Sequence, residues 1–258
     1  MKKHILFTIA LLSVLGFTVH AQWQWQYPLP QGNRLNDMII TEGNTGFAVG
    51  NGGVILKTMD KGRNWSLMDS AANVNLNGIC FTGTSKGYIA GDNGVLLTTN
   101  ANGQWVSMES GTHYHMNAVA AATDEKVYAA GYKGLILKKT GETWEITESP
   151  TIRALYCIDF GSNSVGVAAG DSGTILRTTD GGDNWNLVDV SYNAAFLDVY
   201  FPSESIGYLA GQQGLILKTT DSGASWTDIS YSQVETNLLS IHFYNDTTGY
   251  ACGANGVI

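Results

Sequence analysis

The chain is short of basic charge, of cysteine, of long apolar runs and of helical periodicity, and each shortage removes a class of protein. Its 14 lysines and arginines stand against 22 aspartates and glutamates, a formal net charge of −8. A surface of that sign repels phosphate backbones and anionic lipid headgroups, so nucleic acid is not expected as a partner. The longest apolar run goes from Ile5 to Val19. That falls short of the roughly 20 residues needed to cross a bilayer. Lys2 and Lys3 precede it, and Val19-His20-Ala21 follows with small side chains at the −3 and −1 positions of a cleavage site. That is the pattern of a secretory signal peptide over residues 1–21. The mature chain is then 22–258, exported to the periplasm, outer surface or medium, with no membrane insertion after cleavage and a net charge of −10.

What the chain has instead is repetition. Gly46-Phe-Ala-Val-Gly50, Gly53-Val-Ile-Leu-Lys-Thr58 and Trp65 form one block. It returns through Gly87 to Trp105, Val127 to Trp144, Gly166 to Trp185 and Gly207 to Trp226, and a sixth copy opens at Gly249. The five tryptophans that close these blocks are almost evenly spaced. Each copy holds four strand-like segments: a short run such as Leu155 to Phe160, the Gly-Tyr-x-Ala-Gly segment, a third such as Thr174 to Thr178, and a fourth beginning at the tryptophan. A Gly-x-x-Gly turn joins the second to the third, with glycine expected at both ends because of backbone angles that side chains disfavour. Four short strands in each repeat of about 40 residues is the arithmetic of an all-β propeller with four-stranded blades. About six repeats are visible, at about 35–65, 75–105, 115–144, 154–185, 196–226 and, incomplete, 237–258. Cys252 stands where Ala90, Ala130, Ala169 and Ala210 stand in earlier copies, so Cys80, Cys157 and Cys252 read as free, buried thiols, with one disulfide as the alternative.

Three copies carry Thr-x-Asp-x-Gly-x-x-Trp between the third and fourth strands: Asp60, Gly62, Trp65; Asp180, Gly182, Trp185; and Asp221, Gly223, Trp226. A short carboxylate can accept the N–H groups of its own turn, and the indole supplies apolar surface to pack between sheets. Copies two and three shorten this stretch and place Ala101 and Gly141 at the aspartate position, so their turns are expected to lack the cap. Trp25 precedes Trp65 by the same interval that separates Trp65 from Trp105, and 23–27 alternates like a strand, which suits an outer strand closing the ring. The sixth copy breaks off two residues into its third strand, which reads as a piece of a longer protein.

The aspartate turn resembles the Asp-box of sialidase-type propellers, where its role is structural. The whole repeat resembles the photosystem II stability/assembly factor family, here as a secreted, non-photosynthetic bacterial member. That resemblance implies a six- to seven-bladed propeller that binds polypeptides without chemistry or cofactor. It does not carry the photosynthetic role, because the basic partner face of the plant and cyanobacterial members has no counterpart. The four arginines, Arg34, Arg63, Arg153 and Arg177, are scattered.

Three functions compete. The leading one is a non-enzymatic scaffold for a protein or other extracellular ligand. The Gly-x-x-Gly turns and the loops from fourth to next first strand share one face, which collects His113, Tyr114, His115, Tyr132, Lys133, Arg153, Asp171, Tyr192, Gln212, Gln213 and Tyr231. Aromatic and arginine side chains are common interface anchors, so Tyr114, His115, Tyr132, Lys133, Arg153 and Tyr192 are the candidate binding residues. The second reading is a glycosidase, which needs facing carboxylates. Asp37, Asp159 and Asp198 on first strands are the candidates, read first as solvated lining of the axial channel. A sialidase's arginine triad is not met: Arg177 shares a position expected to be exposed with Lys57, Thr98, Lys138 and Lys218. The third is a passive spacer or adhesin module. His113 and His115 alternate, but no third ligand accompanies them, and no metal site is expected.

Overall fold

A computed structural model describes residues 31–258 apart from Glu42 and Thr84. The signal peptide and the 23–27 strand therefore lie outside the described residues. Alternating apolar residues between glycine-bounded turns build five four-stranded antiparallel sheets, each a simple meander. The first holds β1 (Leu35–Ile40), β2 (Gly46–Gly50), β3 (Ile55–Thr58) and β4 (Ser66–Met68); the second β5 (Leu76–Thr82), β6 (Lys86–Gly91), β7 (Leu96–Thr99) and β8 (Trp105–Met108). The third holds β9 (Met116–Ala121), β10 (Val127–Gly131), β11 (Ile136–Thr140) and β12 (Thr143–Thr147). The fourth holds β13 (Leu155–Phe160), β14 (Gly166–Gly170), β15 (Ile175–Thr178) and β16 (Asn186–Leu187), and the fifth β17 (Phe196–Tyr200), β18 (Gly207–Gly211), β19 (Ile216–Thr219) and β20 (Thr227–Asp228). The sixth repeat is only a hairpin, β21 (Leu238–Phe243) with β22 (Gly249–Gly253), so the described chain has five blades rather than about six. No helix among the described residues is long and apolar enough to cross a membrane.

Neighbouring sheets meet chiefly through their first strands, which therefore lie nearest the axis. The apolar core is divided into clusters between consecutive sheets. Tyr88 and Leu96 of the second sheet pack with Met116, Leu137 and Trp144 of the third, and Tyr128 and Ile136 of the third pack with Leu176 and Trp185 of the fourth. The tryptophans of the second to fifth sheets thus insert backwards, towards the preceding sheet: Trp105 meets Phe47 edge-on at 6.1 Å, and Trp185 meets Tyr128 at 6.2 Å. Trp65 packs on its own sheet with Ala48, Val54 and Leu56.

Several expectations need correction. Only β8 begins at its tryptophan; β4, β16 and β20 begin one residue later and β12 one earlier, because the turn lengths differ. The Gly-x-x-Gly glycines are needed for two different reasons. Gly131 has an extended backbone, φ −164, that any residue adopts, but a side chain there would strike the carbonyl of His115. Gly134 has φ +71 and also lies against the carbonyl of Thr151. Cys80 and Cys157 are buried, but Cys252 is exposed, because its hairpin has no following sheet against it among the described residues.

The turn between the third and fourth strands follows one wiring plan in the three aspartate copies. Thr58 Oγ1 donates to Asp60 Oδ1 at 2.8 Å and accepts the Gly62 N–H at 2.9 Å, while Asp60 Oδ1 accepts the Asn64 N–H at 2.8 Å. The same bonds recur at Thr178, Asp180, Gly182 and Asn184, and at Thr219, Asp221, Gly223 and Ser225. Hydrogen bonds from Asn64 and Thr58 hold the Asp60 carboxyl down at about 2. At Asp180 partial burial pulls the other way, yet the bonds from Asn184 and Thr178 prevail and the value is again about 2. The second sheet is not without a cap: Asn100 Oδ1 accepts the N–H groups of Asn102 and Gln104 at 2.9 and 3.0 Å. Only the third sheet dispenses with it, by closing β11 onto β12 through a hairpin paired at Thr140 and Thr143.

Candidate binding face and the inner ring

The loop entering β9 and the turn leaving β10 bring four of the six candidate residues together. Tyr132 donates its backbone N–H to the carbonyl of His115 at 2.9 Å, which fixes the turn against the loop. The Tyr132-Lys133-Gly134 turn puts Lys133 in the left-handed region, φ +57. From there its ammonium donates to Tyr114 Oη at 3.0 Å and lies 4.8 Å from the centre of that ring. The hydrogen bond to Tyr114 raises the Lys133 pKa, so the site stays cationic. His115 stands edge-on to Tyr132, 6.2 Å between ring centres, with its Nδ1 3.0 Å from Asp92 Oδ1. Asp92, in the equivalent turn of the second sheet, also accepts from Asn77 Nδ2 and Asn75 Nδ2, each at 2.9 Å. This acidic anchor was not among the residues singled out from the sequence.

Arg153 and Tyr192 stand apart from that cluster. Arg153 is exposed, and its only hydrogen bond among the described residues runs from its backbone N–H to Thr151 Oγ1 at 3.1 Å. Tyr192 is partly buried, packed against the apolar cluster between the fourth and fifth sheets, so its ring serves packing. His113 and His115 do not converge on a third ligand, and among the described residues no three His, Cys, Asp or Glu side chains gather as a metal site.

The axial aspartates are not simply solvated channel lining. Asp37 Oδ2 accepts the N–H of Ile79, Asp159 Oδ2 that of Phe201 and Asp198 Oδ2 that of Ile241, each at 2.8 Å and each on or beside the first strand of the next sheet. Asp37 and Asp198 also accept the N–H of the residue that follows them, Met38 and Val199. Held between inner strands, the carboxyls are half-buried. Burial raises Asp37 and Asp159 to about 7 against the opposing backbone hydrogen bonds, and Asp198 to about 6. The charge of Asp198 adds to the rise at both of the others.

A second set of bridges went unread in the sequence. A β-bulge interrupts the first strands after their opening residue, between Leu35 and Asp37 and between Leu76 and Gly78 for example. The bulged Asn36, Asn77 and Asn117 donate to the carbonyls of Leu76, Met116 and Leu155 in the next sheet, at 2.8, 3.0 and 2.7 Å. The signal was present as an asparagine directly after the apolar residue that opens the first strand in three consecutive repeats. Nor is the third-strand basic position free: Arg177 Nε donates to Ser222 O at 2.6 Å, Lys138 pairs with Asp183, and Lys57 and Lys218 lie over Phe47 and Tyr208. These side chains are engaged by protein groups instead of standing in solvent.

Sheets bridged at the inner rim, tryptophans set between them and wired aspartate turns define a β-propeller of the repeat type. The family described as Photosynthesis system II assembly factor YCF48 matches residues 17–127, 136–233 and 191–258, and the chain belongs to that family. No curated protein matches the sequence significantly. Among solved structures, one described as YCF48 bound to D1 peptide is similar at 19% identity and a TM-score of 0.50, covering 88% of this chain and 93% of that one. The RRP9 WD40 repeats are similar at 12% identity and a TM-score of 0.69, covering 84% and 72%, and U3-55K gives the same values. At these identities the likenesses show the propeller fold alone.

Proposed function

We propose that this chain is an exported, non-catalytic propeller that binds polypeptide, an assembly-factor-like scaffold without a photosynthetic role. The carrying observation is the face around Lys133, where Tyr114 and Tyr132 remain 43% and 50% exposed on a fold whose family is that of an assembly factor. Exposed rings, one held by the Lys133 hydrogen bond to Tyr114 and the other edge-on to His115, offer contact area at little entropic cost. One solved relative holds a peptide, which suits the same use of the fold. The axial carboxylates support a non-catalytic reading, since each is engaged by backbone N–H groups rather than set opposite a free partner across a substrate cleft. Arg177 is committed to Ser222, which takes it out of any arginine triad of the kind a sialidase requires.

The test is site-specific photo-cross-linking of the mature chain in its own cell envelope, with the reactive residue at position 132 or at Met59. Met59 is 72% exposed beside the aspartate turn of the first sheet. Protein adducts from position 132 and none from Met59 are expected; adducts from neither would sink the binding reading. In parallel, hydrolysis of fluorogenic glycosides that disappears in Asp198→Asn would make the chain a glycosidase. Export is checked by mass spectrometry, with Gln22 expected as the first residue of the mature chain.

A further inference from the structure

We infer that Asp171 receives a cationic side chain, arginine or lysine, from the bound polypeptide. This rests on the binding reading above and names the partner's chemistry at that face. Asp171 opens the turn after β14, as Asn51, Asp92 and Gln212 open the corresponding turns of the first, second and fifth sheets. In each case the backbone N–H donates to the carbonyl of the residue just before the first strand of the same sheet. Those residues are Arg34 for Asn51, Asn75 for Asp92, Ala154 for Asp171 and Ala195 for Gln212, at 2.8 or 2.9 Å. The four side chains therefore leave the same backbone frame.

In that frame Asp92 is fully served. It accepts Asn75 Nδ2 and Asn77 Nδ2 at 2.9 Å each, and His115 Nδ1 lies 3.0 Å from it. The Asn51 side chain accepts from Asn36 at 3.0 Å, and that of Gln212 accepts the N–H of Ala195 at 3.1 Å. Around Asp171 all three donors of Asp92 are replaced. Ala154 stands where Asn75 stands, Tyr156 fills the bulge position of Asn77, and Ala195 takes the place of His115. Among the described residues the Asp171 carboxylate accepts no hydrogen bond and joins no ion pair, and Arg153 on the adjoining loop does not pair with it. An unpaired acid on an open loop is ordinary. This one occupies a position that the same fold supplies with three donors two sheets earlier.

The replacements also change what surrounds the carboxylate. The two alanines remove the bulk of an amide and an imidazole along with their N–H groups. Burial raises the pKa of Tyr156, and Asp171 and Tyr132 raise it further, which places both of them near its ring. Asp171 itself is only partly buried. A partly exposed carboxylate without donors, close to aromatic side chains, suits a guanidinium or an ammonium group. The net charge of −8 draws a basic segment towards this face and repels an acidic one.

The probes are fluorescein-labelled peptides holding one arginine between Leu and Phe in a Ser/Gly background, each paired with a twin in which citrulline keeps the shape without the charge. The mature chain is expected to bind the arginine peptides about fivefold more tightly than the twins, with the gap narrowing as salt rises. In Asp171→Asn the gap should close, and the turn should hold, since Asn51 fills that position in the first sheet. The double variant Ala154→Asn, Tyr156→Asn restores the two amides that serve Asp92 and should close the gap while leaving the acid in place. Asp189→Asn, which removes an exposed acid elsewhere, should keep it. Circular dichroism verifies the fold of each variant. Equal affinity for both members of a pair, a gap that persists in Asp171→Asn or in the double variant, or one lost equally in Asp189→Asn overturns the proposal. If neither peptide binds while position 132 cross-links protein, the Asp171 proposal alone fails. If both assays are negative, the binding reading fails with it.

Discussion

The carboxylate of Asp198 accepts the N–H of Ile241 at 2.8 Å, across the seam between two sheets and 43 residues along the chain. Asp37 reaches Ile79 and Asp159 reaches Phe201 in the same way, each at an offset of 42. Three acids therefore hold neighbouring sheets together at the rim, in surroundings that raise their pKa to about 7, 7 and 6.

A stability profile follows from that arrangement. The unfolded value of an aspartate is about 3.9, so between about pH 4 and 7 the folded chain binds more protons than the unfolded one. Stability is then highest at the acid end of this window and falls as pH rises through the folded values. The melting temperature should drop by several degrees from pH 5 to pH 8. In the triple variant Asp37→Asn, Asp159→Asn, Asp198→Asn the slope should flatten. A slope unchanged in that variant would assign it to general charge repulsion instead.

The aspartate turns respond in the opposite sense. Asp60 and Asp180 are held at about 2, so their contribution is complete above the unfolded value and lost as pH falls towards 2. Asp180→Ala removes the acceptor of Thr178 Oγ1 and of both nitrogens of Asn184. It should cost about 1–3 kcal/mol in urea unfolding at neutral pH, and Asp180→Asn less.

Two tryptophans at equivalent positions should differ. Among the described residues the buried indole N–H of Trp185 meets no acceptor, whereas that of Trp65 donates to Gly62 O at 3.1 Å. Trp185→Phe loses area but no hydrogen bond and relieves an unpaired donor, so it should cost less than its alanine counterpart, for which about 3–5 kcal/mol is usual. Trp65→Phe adds the loss of its bond. Paired denaturation curves of the phenylalanine and alanine variants at both positions measure the difference.

Gly134→Ala meets both a positive φ and the carbonyl of Thr151, and about 2 kcal/mol or more of destabilisation is expected. Gly141→Ala, with φ +60 but open space around it, should cost less. Thermal melts of the two variants compare them, and equal losses would mean that backbone angle, not contact between sheets, sets the glycine requirement.

Much of the architecture was legible because it is local. Glycines bounding short apolar runs, and a tryptophan once in every repeat, report strands and turns through periodicity and side-chain size. The wiring of Thr58, Asp60 and Gly62 could be read for the same reason, since all its partners lie close together in the chain. Asn100 was missed because it caps its turn from one position earlier than the aspartate pattern predicts. The clustering of Tyr114, His115, Tyr132 and Lys133 followed from propeller topology, but Asp92 as their anchor did not.

By itself, then, the sequence determined the strand order within each repeat, the chemistry of the turns and the sign of the surface. These depend on near neighbours in the chain or on composition. The tertiary structure decided which polar side chains are spent and which are left over. Asp37, Asn36 and Arg177 all reach partners one repeat further along the chain, in the next sheet, while among the described residues Lys133 and Arg153 form no ion pair. Hydrogen bonds and charge pairing depend on distances of about 3 Å, and residues a whole repeat apart come that close only when one sheet is laid against another.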